Sequence, residues 1–66
     1  MQVVINGEKC DVPTAETVTG LLERLALAKG PCAVEVNRRL VPKKAHDRTT
    51  LAAGDRIELV SLVGGG

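Results

Sequence analysis

The sequence predicts an α+β domain in which a mixed sheet of four to five strands packs on one main helix. Three observations lead to this prediction: apolar and polar residues alternate near both ends of the chain, one central segment has helical spacing, and Gly, Pro and Asn separate these segments. Residues 1–66 are expected to form a single domain. A chain this short buries only about 60% of its unfolded surface, so a roomy internal active site is not expected.

The first segments predict a β-hairpin. Val3 and Ile5 are spaced to share one strand face, and Cys10 and Val12 resume the alternation further along. Asn6-Gly7 between them is a strong signal for a two-residue turn, because both central positions of that turn require positive φ. We therefore expect strands one and two to pair through this turn.

The central segment predicts a helix. Thr17 is suited to the N-cap, since its hydroxyl can accept a backbone N–H bond. Lys29-Gly30-Pro31 supplies stop signals. Apolar residues at i, i+3, i+4 and i+7 form one stripe, which is expected to be buried: Val18, Leu21, Leu22 and Leu25.

Two strands and an irregular segment follow. Residues 32–36 alternate as a strand, residues 37–39 form a turn, and residues 40–41 form a short edge piece that Pro42 ends. Residues 43–50 are expected to be a loop or a helical turn.

The last strand is predicted in the run Arg56 to Val63. Leu51 can anchor the preceding loop, and residues 53–55 turn the chain into the strand, where Ile57 and Leu59 should face inward. The predicted order is hairpin, helix, strand, short strand, strand. A crossover helix of this kind packs on one face of a mixed sheet.

Composition excludes several classes of function. Apolar residues are 44% of the chain and charged residues 26%, which is typical of a globular protein. The net charge is +1 and there is no Phe, Tyr or Trp for a base to stack on, so no nucleic-acid partner is expected. No apolar run is long enough for a membrane helix and no secretory leader precedes the first strand, so we expect a cytoplasmic protein without membrane association.

The thiols and the histidine do not form a recognisable catalytic or metal motif. Cys10 and Cys32 lack the CxxC spacing of zinc or redox sites, so buried free thiols are expected. His46, beside Asp47, has no nucleophile with a known signature nearby, and a solvated loop imidazole is favoured over a catalytic base. No metal site is predicted.

The most promising reactive group is the carboxylate of Gly66. Gly64 and Gly65 precede it and, directly after the last predicted strand, are expected to form a flexible arm. Glycines without Cβ allow close approach of another surface, so such an arm can thread a narrow channel. The alternative is a frayed terminus or an expression remnant.

Three motifs in order, together with the glycine terminus, resemble a known family. They are Ala-Val-Glu-Val-Asn at 33–37, Leu-Val-Pro-Lys at 40–43 and Leu-Ala-Ala-Gly-Asp-Arg-Ile-Glu-Leu at 51–59. The whole chain resembles the β-grasp fold of ubiquitin-like proteins and, within it, the ThiS-like sulfur carriers of thiamine biosynthesis. Val60 and Leu62 occupy a stretch in which many members of that family carry an aromatic residue.

The resemblance implies a carrier rather than an enzyme. An E1-like adenylating enzyme would use MgATP to adenylate Gly66, and a sulfur-donating enzyme would complete its conversion to a thiocarboxylate. Thiazole synthase would then accept the sulfur. The resemblance implies no cofactor bound by the chain itself, because ATP and magnesium are used by the partner.

Partner docking is expected close to the tail. If Ile57 and Leu59 face the core, Val60 and Leu62 face outward, and Val63 follows them. Exposed aliphatics beside a reactive tail suggest a docking patch, although outward aliphatics also satisfy β propensity alone.

A second candidate docking feature is electrostatic. The window 38–48 is basic, with Asp47 as its one acidic residue. Such a cluster is most often a solvated loop, but it could also steer docking onto an acidic partner face. The basic residues are Arg38, Arg39, Lys43, Lys44 and Arg48.

Other functions remain open on sequence grounds. The small subunit of molybdopterin synthase resembles the same fold and ends in a glycine thiocarboxylate, and carriers for other sulfur pathways are similar. A ubiquitin-like modifier conjugated through Gly66, or an interaction module without covalent chemistry, belongs to a different class.

Overall fold

A computed structural model describes residues 1–26 and 32–61 of the chain. These residues form a five-stranded sheet, an α-helix and a 3₁₀-helix. In chain order the elements are β1 (Gln2–Ile5), β2 (Glu8–Asp11), α1 (Val18–Arg24), β3 (Cys32–Val36), β4 (Arg39–Leu40), the 3₁₀-helix (Lys43–Arg48) and β5 (Arg56–Ser61).

The sheet is mixed, and its strand order is β2-β1-β5-β3-β4. β1 pairs antiparallel with β2 and parallel with β5. β3 pairs antiparallel with both β5 and β4. The predicted α+β class, the number of strands and the order of the elements are confirmed, and β5 lies at the centre of the sheet.

The Asn6-Gly7 turn has the predicted geometry. Both residues have positive φ, 49° and 84°, and the register pairs Ile5 directly with Glu8. Two-residue hairpins favour this conformation because its twist matches that of the flanking strands.

Helix α1 is capped as predicted but is shorter than its apolar stripe. The Thr17 hydroxyl accepts a hydrogen bond from the Gly20 amide at 3.1 Å. Leu25 is the C-cap and is 36% exposed, so the prediction that it is buried is wrong. The reason is local, because Ala26 adopts φ 60° and turns the backbone away after the last helical residue. The stop signals at residues 29–31 lie outside the described residues.

The hydrophobic core lies between the helix and one face of the sheet. Ile57 and Leu59 face inward as predicted, and Leu51 anchors the loop before β5. Full burial of one such side chain contributes about 1.5–3 kcal/mol, so these residues supply most of the stabilisation. The buried apolar side chains are Val3, Val12, Val18, Leu21, Leu22, Val34, Leu51, Ile57 and Leu59.

The prediction that His46 is a solvated loop residue is wrong. Residues 43–48 form a 3₁₀-helix against α1, and this packing leaves the His46 side chain only 8% exposed. Its Nε2 lies 3.0 Å from the carbonyl oxygen of Val41, which satisfies the buried ring.

Two smaller predictions also need correction. Cys10 and Cys32 are free thiols, but each is half-buried rather than fully buried, because both lie on strand positions at the margin of the core. The turn after β3 contains only Asn37 and Arg38, since Arg39 already pairs with Val36 as the first residue of β4.

Candidate functional site

The structure describes the strand that leads to the predicted reactive tail. β5 is paired on one side with β1 at residues 56–57 and on the other with β3 up to the pair Cys32 and Ser61. The predicted reactive residue Gly66, the arm residues Gly64 and Gly65, and the predicted docking residues Leu62 and Val63 lie outside the described residues. Their roles remain predictions.

The side chain of Asn6 binds β5 where the β1 ladder ends. The backbone N–H of Asn6 donates to the Ile57 carbonyl at 2.9 Å. Its side-chain Oδ1 then accepts from the Leu59 amide at 2.8 Å, and its Nδ2 donates to the Leu59 carbonyl at 3.1 Å. One primary amide thus replaces the next peptide of β1 and satisfies both polar groups of a buried strand residue.

Asn37 binds the start of β5 from the other side. Its backbone N–H donates to the Arg56 carbonyl at 2.7 Å, and its side-chain Oδ1 accepts from the backbone N–H of Arg56 at 3.0 Å. Its Nδ2 donates to Oδ1 of Asp55 at 3.0 Å, and Oδ2 of Asp55 accepts from the Ala52 amide at 2.8 Å. This network fixes the turn from which β5 begins.

The two asparagine contacts were missed by sequence reasoning. Asn6-Gly7 and Asn37 each signal a turn, but the partners of Asn6 are 53 residues away. A local turn signal carries no information about such a distant partner. The only available sign was that both turns begin with Asn, whose side chain often bonds to backbone groups.

The sheet face opposite the helix is exposed. Because Ile57 and Leu59 face the core, Glu58 and Val60 face away from it. Val60 is 56% exposed, which confirms the outward orientation predicted for it. Its register partner on β3 is Ala33.

The predicted basic residues are all exposed but lie on two separate features. Arg38 and Arg39 belong to the β3–β4 hairpin. Lys43 and Lys44 open the 3₁₀-helix and, with Thr19, Leu22, His46 and Asp47, line an open groove of about 310 Å³. The five basic residues are thus divided between the hairpin and the 3₁₀-helix, and their role in docking stays a prediction.

Within residues 1–26 and 32–61 there is no group of three or more His, Cys, Asp or Glu residues that could hold a metal ion. No helix in the same ranges is long and apolar enough to cross a membrane. The described site consists of a central strand that is hydrogen-bonded on both sides and followed in sequence by the terminal glycines, with one open sheet face beside it.

Two hairpins joined through a central strand, with a helix packed on one face, define the β-grasp fold of ubiquitin-like proteins. The model of the ThiS family matches residues 2–66, and the chain belongs to that family. The crystal structure of a thiamine biosynthesis protein, ThiS, from Geobacter metallireducens is similar, with a TM-score of 0.85 and 33% identity, and the match covers 100% of both chains.

Two curated relatives are much longer proteins. The chain is 38% identical over 66 residues to a protein of Paramagnetospirillum magneticum and 35% identical over 66 residues to one of Magnetococcus marinus, both named thiazole synthase. Each match covers all of this chain and 20% of the relative, so the chain spans about a fifth of their length.

Proposed function

We propose that this chain is a sulfur carrier protein of thiamine biosynthesis and not itself an enzyme. The observation that carries the proposal is the family match, which runs through the glycine arm to residue 66. The similarity to the Geobacter metallireducens ThiS structure over the full length of both chains supports it. The relatives named thiazole synthase support thiazole synthase as the protein that receives the sulfur.

The proposed chemistry takes place at the carboxylate of Gly66. A carboxylate is a poor electrophile, so an activating enzyme first attaches it to the α-phosphate of ATP, and pyrophosphate leaves. A persulfide of the sulfur-donating enzyme then attacks the acyl carbon, AMP leaves, and an acyl disulfide joins the two proteins. A thiol of the partner enzymes attacks the donor's sulfur of this S–S bond and is oxidised to a disulfide with it, which releases the thiocarboxylate. The thiocarboxylate is a soft, unhindered nucleophile, because Gly64 and Gly65 carry no side chains.

The residues of this chain supply position rather than catalysis. Asn6 and Asn37 hold β5 in the sheet, so the arm begins from a fixed strand. Val60 is exposed on the open face and is proposed to contact the activating enzyme, with Leu62 and Val63. The exposed residues Arg38, Arg39, Lys43 and Lys44 are proposed to act on the rate of association.

Intact-mass analysis tests the reactive group. After incubation with the activating enzyme, MgATP and a sulfur donor, we expect one oxygen to be exchanged for sulfur, localised to the C-terminal peptide. A chain lacking Gly65 and Gly66 should not be loaded, while its urea unfolding curve should match that of the full chain, because glycines bury no side chain. A Cys10→Ser, Cys32→Ser chain is the control for persulfide formation.

The outcomes separate the candidate functions. Addition of a whole sulfur atom to Cys10 or Cys32, instead of the exchange at Gly66, would contradict the carrier proposal. Isopeptide adducts to lysines would indicate a modifier, and transfer of sulfur to a molybdopterin precursor instead of thiazole synthase would indicate the other carrier pathway.

Val60→Asp tests the docking role. A charge inserted into a desolvated contact should weaken binding to the activating enzyme at least tenfold, whereas exposed substitutions usually change stability by no more than about 0.5 kcal/mol. Val60→Thr, which keeps the branched shape, is the matched control. If Val60→Asp bound the activating enzyme with unchanged affinity, the docking contact would not include Val60.

A further inference from the structure

The open face of the sheet holds two carboxylates that face each other across neighbouring strands. Glu35 on β3 and Glu58 on β5 are register partners, and both are exposed. Directly opposed residues of an antiparallel pair have Cβ atoms about 4.5–5.5 Å apart, and like charges at this spacing are destabilising.

No cation of the described ranges forms an ion pair with Glu35 or Glu58. The ion pairs found there join the Met1 amine to Asp11 and Arg24 to Glu16. Arg56 shares the face and lies two residues before Glu58, but it forms no ion pair with either glutamate within residues 1–26 and 32–61. The repulsion is therefore not relieved by an ion pair in this part of the chain.

Exposed aliphatic side chains flank the two carboxylates. The register partner of Glu35 on β4 is Leu40, which is 68% exposed. Val60 follows Glu58 on the same face of β5 and is 56% exposed. An anionic centre between two apolar contacts is suited to a partner that supplies one cation within an apolar surface.

We propose that Glu35 and Glu58 form a binding site for one arginine of a partner protein, with Leu40 and Val60 covered by apolar groups around that arginine. A guanidinium fits better than a lysine, because its planar fork can bond to both carboxylates while its stem lies on aliphatic side chains. A metal ion is a poorer occupant, since a calcium site needs six to eight oxygen ligands.

The partner is the activating enzyme, and in this respect the inference rests on the proposed function, which assigns Val60 to contact with that enzyme. Glu58 and Val60 lie on the same face of β5, so a protein that contacts Val60 also covers Glu58. The two like charges then select a partner: they repel an acidic surface and are stabilised only when a cation is placed between them.

Binding of Glu35→Gln, Glu58→Gln and the double variant to the activating enzyme tests the site. We expect each single change to weaken binding about tenfold and the double change clearly less than the additive value of about 100-fold, because both groups bond to one cation. The matched control is Glu23→Gln, an exposed carboxylate on α1. It should change affinity less than twofold and combine additively with Glu35→Gln.

Two further measurements separate binding from folding and from the carrier role. The melting temperature of the free Glu35→Gln and Glu58→Gln chains should not fall, because each change removes a repulsion. If wild type is loaded with sulfur and binds the activating enzyme, but the variants bind that enzyme with unchanged affinity, the arginine site is wrong and the carrier role stands. If wild type is neither loaded nor bound by the activating enzyme, the carrier role and this site both fail.

Discussion

The two hairpin turns of the sheet share one backbone conformation and differ in the residue at its second position. Asn6 and Gly7 have φ 49° and 84°, and Asn37 and Arg38 have φ 52° and 69°. Glycine accepts this region without strain, whereas a residue with a Cβ is destabilised by roughly 1–2 kcal/mol. In both turns the side chain of the first-position Asn is bonded to residues of β5 or the turn before it, and the second turn forms without Gly.

The turns also differ in how deeply their asparagine contacts lie. The bonds of Asn6 to Leu59 are partly buried, and Leu59 itself is a core residue. The side-chain bonds of Asn37 to Arg56 and Asp55 are exposed, so water can replace them. The same chemical contact should therefore stabilise the protein more at the first turn than at the second.

The largest effect is expected for Asn6→Ala. Removing the amide leaves the N–H and C=O of Leu59 without their partner in a partly buried position, which should lower the free energy of unfolding by about 2–3 kcal/mol. Urea denaturation measures this. Asn6→Asp keeps the acceptor for the Leu59 amide and should give an intermediate loss. If Asn6→Ala lost less stability than Asn37→Ala, the comparison between the two turns would be wrong.

Asn37→Ala should have a smaller effect, about 1 kcal/mol, because solvent can bond to the exposed Arg56 amide and Asp55 carboxylate. The same denaturation experiment applies. Hydrogen exchange at the Arg56 amide gives a local check, since its protection should fall more than that of Leu59. Equal losses of exchange protection at Arg56 and Leu59 would mean that the network stabilises the whole fold rather than the turn alone.

The smallest effect, and one of opposite sign, is expected for Arg38→Gly. Relief of the positive-φ strain is partly offset by the greater freedom of glycine in the unfolded chain, so stability should rise by about 0.5 kcal/mol. Gly7→Ala is the reciprocal control. A Cβ at Gly7 would meet nothing within 4 Å, so the expected loss of about 1 kcal/mol is purely conformational. A destabilised Arg38→Gly chain would show that the arginine makes a contact of its own.

The sequence was sufficient for features that depend on local periodicity. Alternation correctly separated Ile57 and Leu59 from Val60, and the Asn6-Gly7 pair correctly indicated the first turn. The orientation of Leu62 and the chemistry of Gly66 stay predictions.

Features that depend on distant packing could not be predicted in the same way. The segment around His46 is polar and looks like a solvated loop, yet its ring is buried by α1 and bonded to Val41. Leu25 fits the helical spacing, but it is the C-cap of α1, and the backbone turns away at Ala26, so its side chain is not buried. Both errors arise because tertiary contacts and chain direction override a local pattern.

The central position of β5 has a consequence for the order of folding. The two hairpins pair residues that are close in sequence, whereas β5 pairs with β1 through Ile57 and Ile5. Such distant pairing must overcome the entropy of closing a long loop and is slow. The face that carries Glu58 and Val60 exists only after β5 has been synthesised and has inserted between the hairpins, so an incomplete or misfolded chain does not present it to a partner.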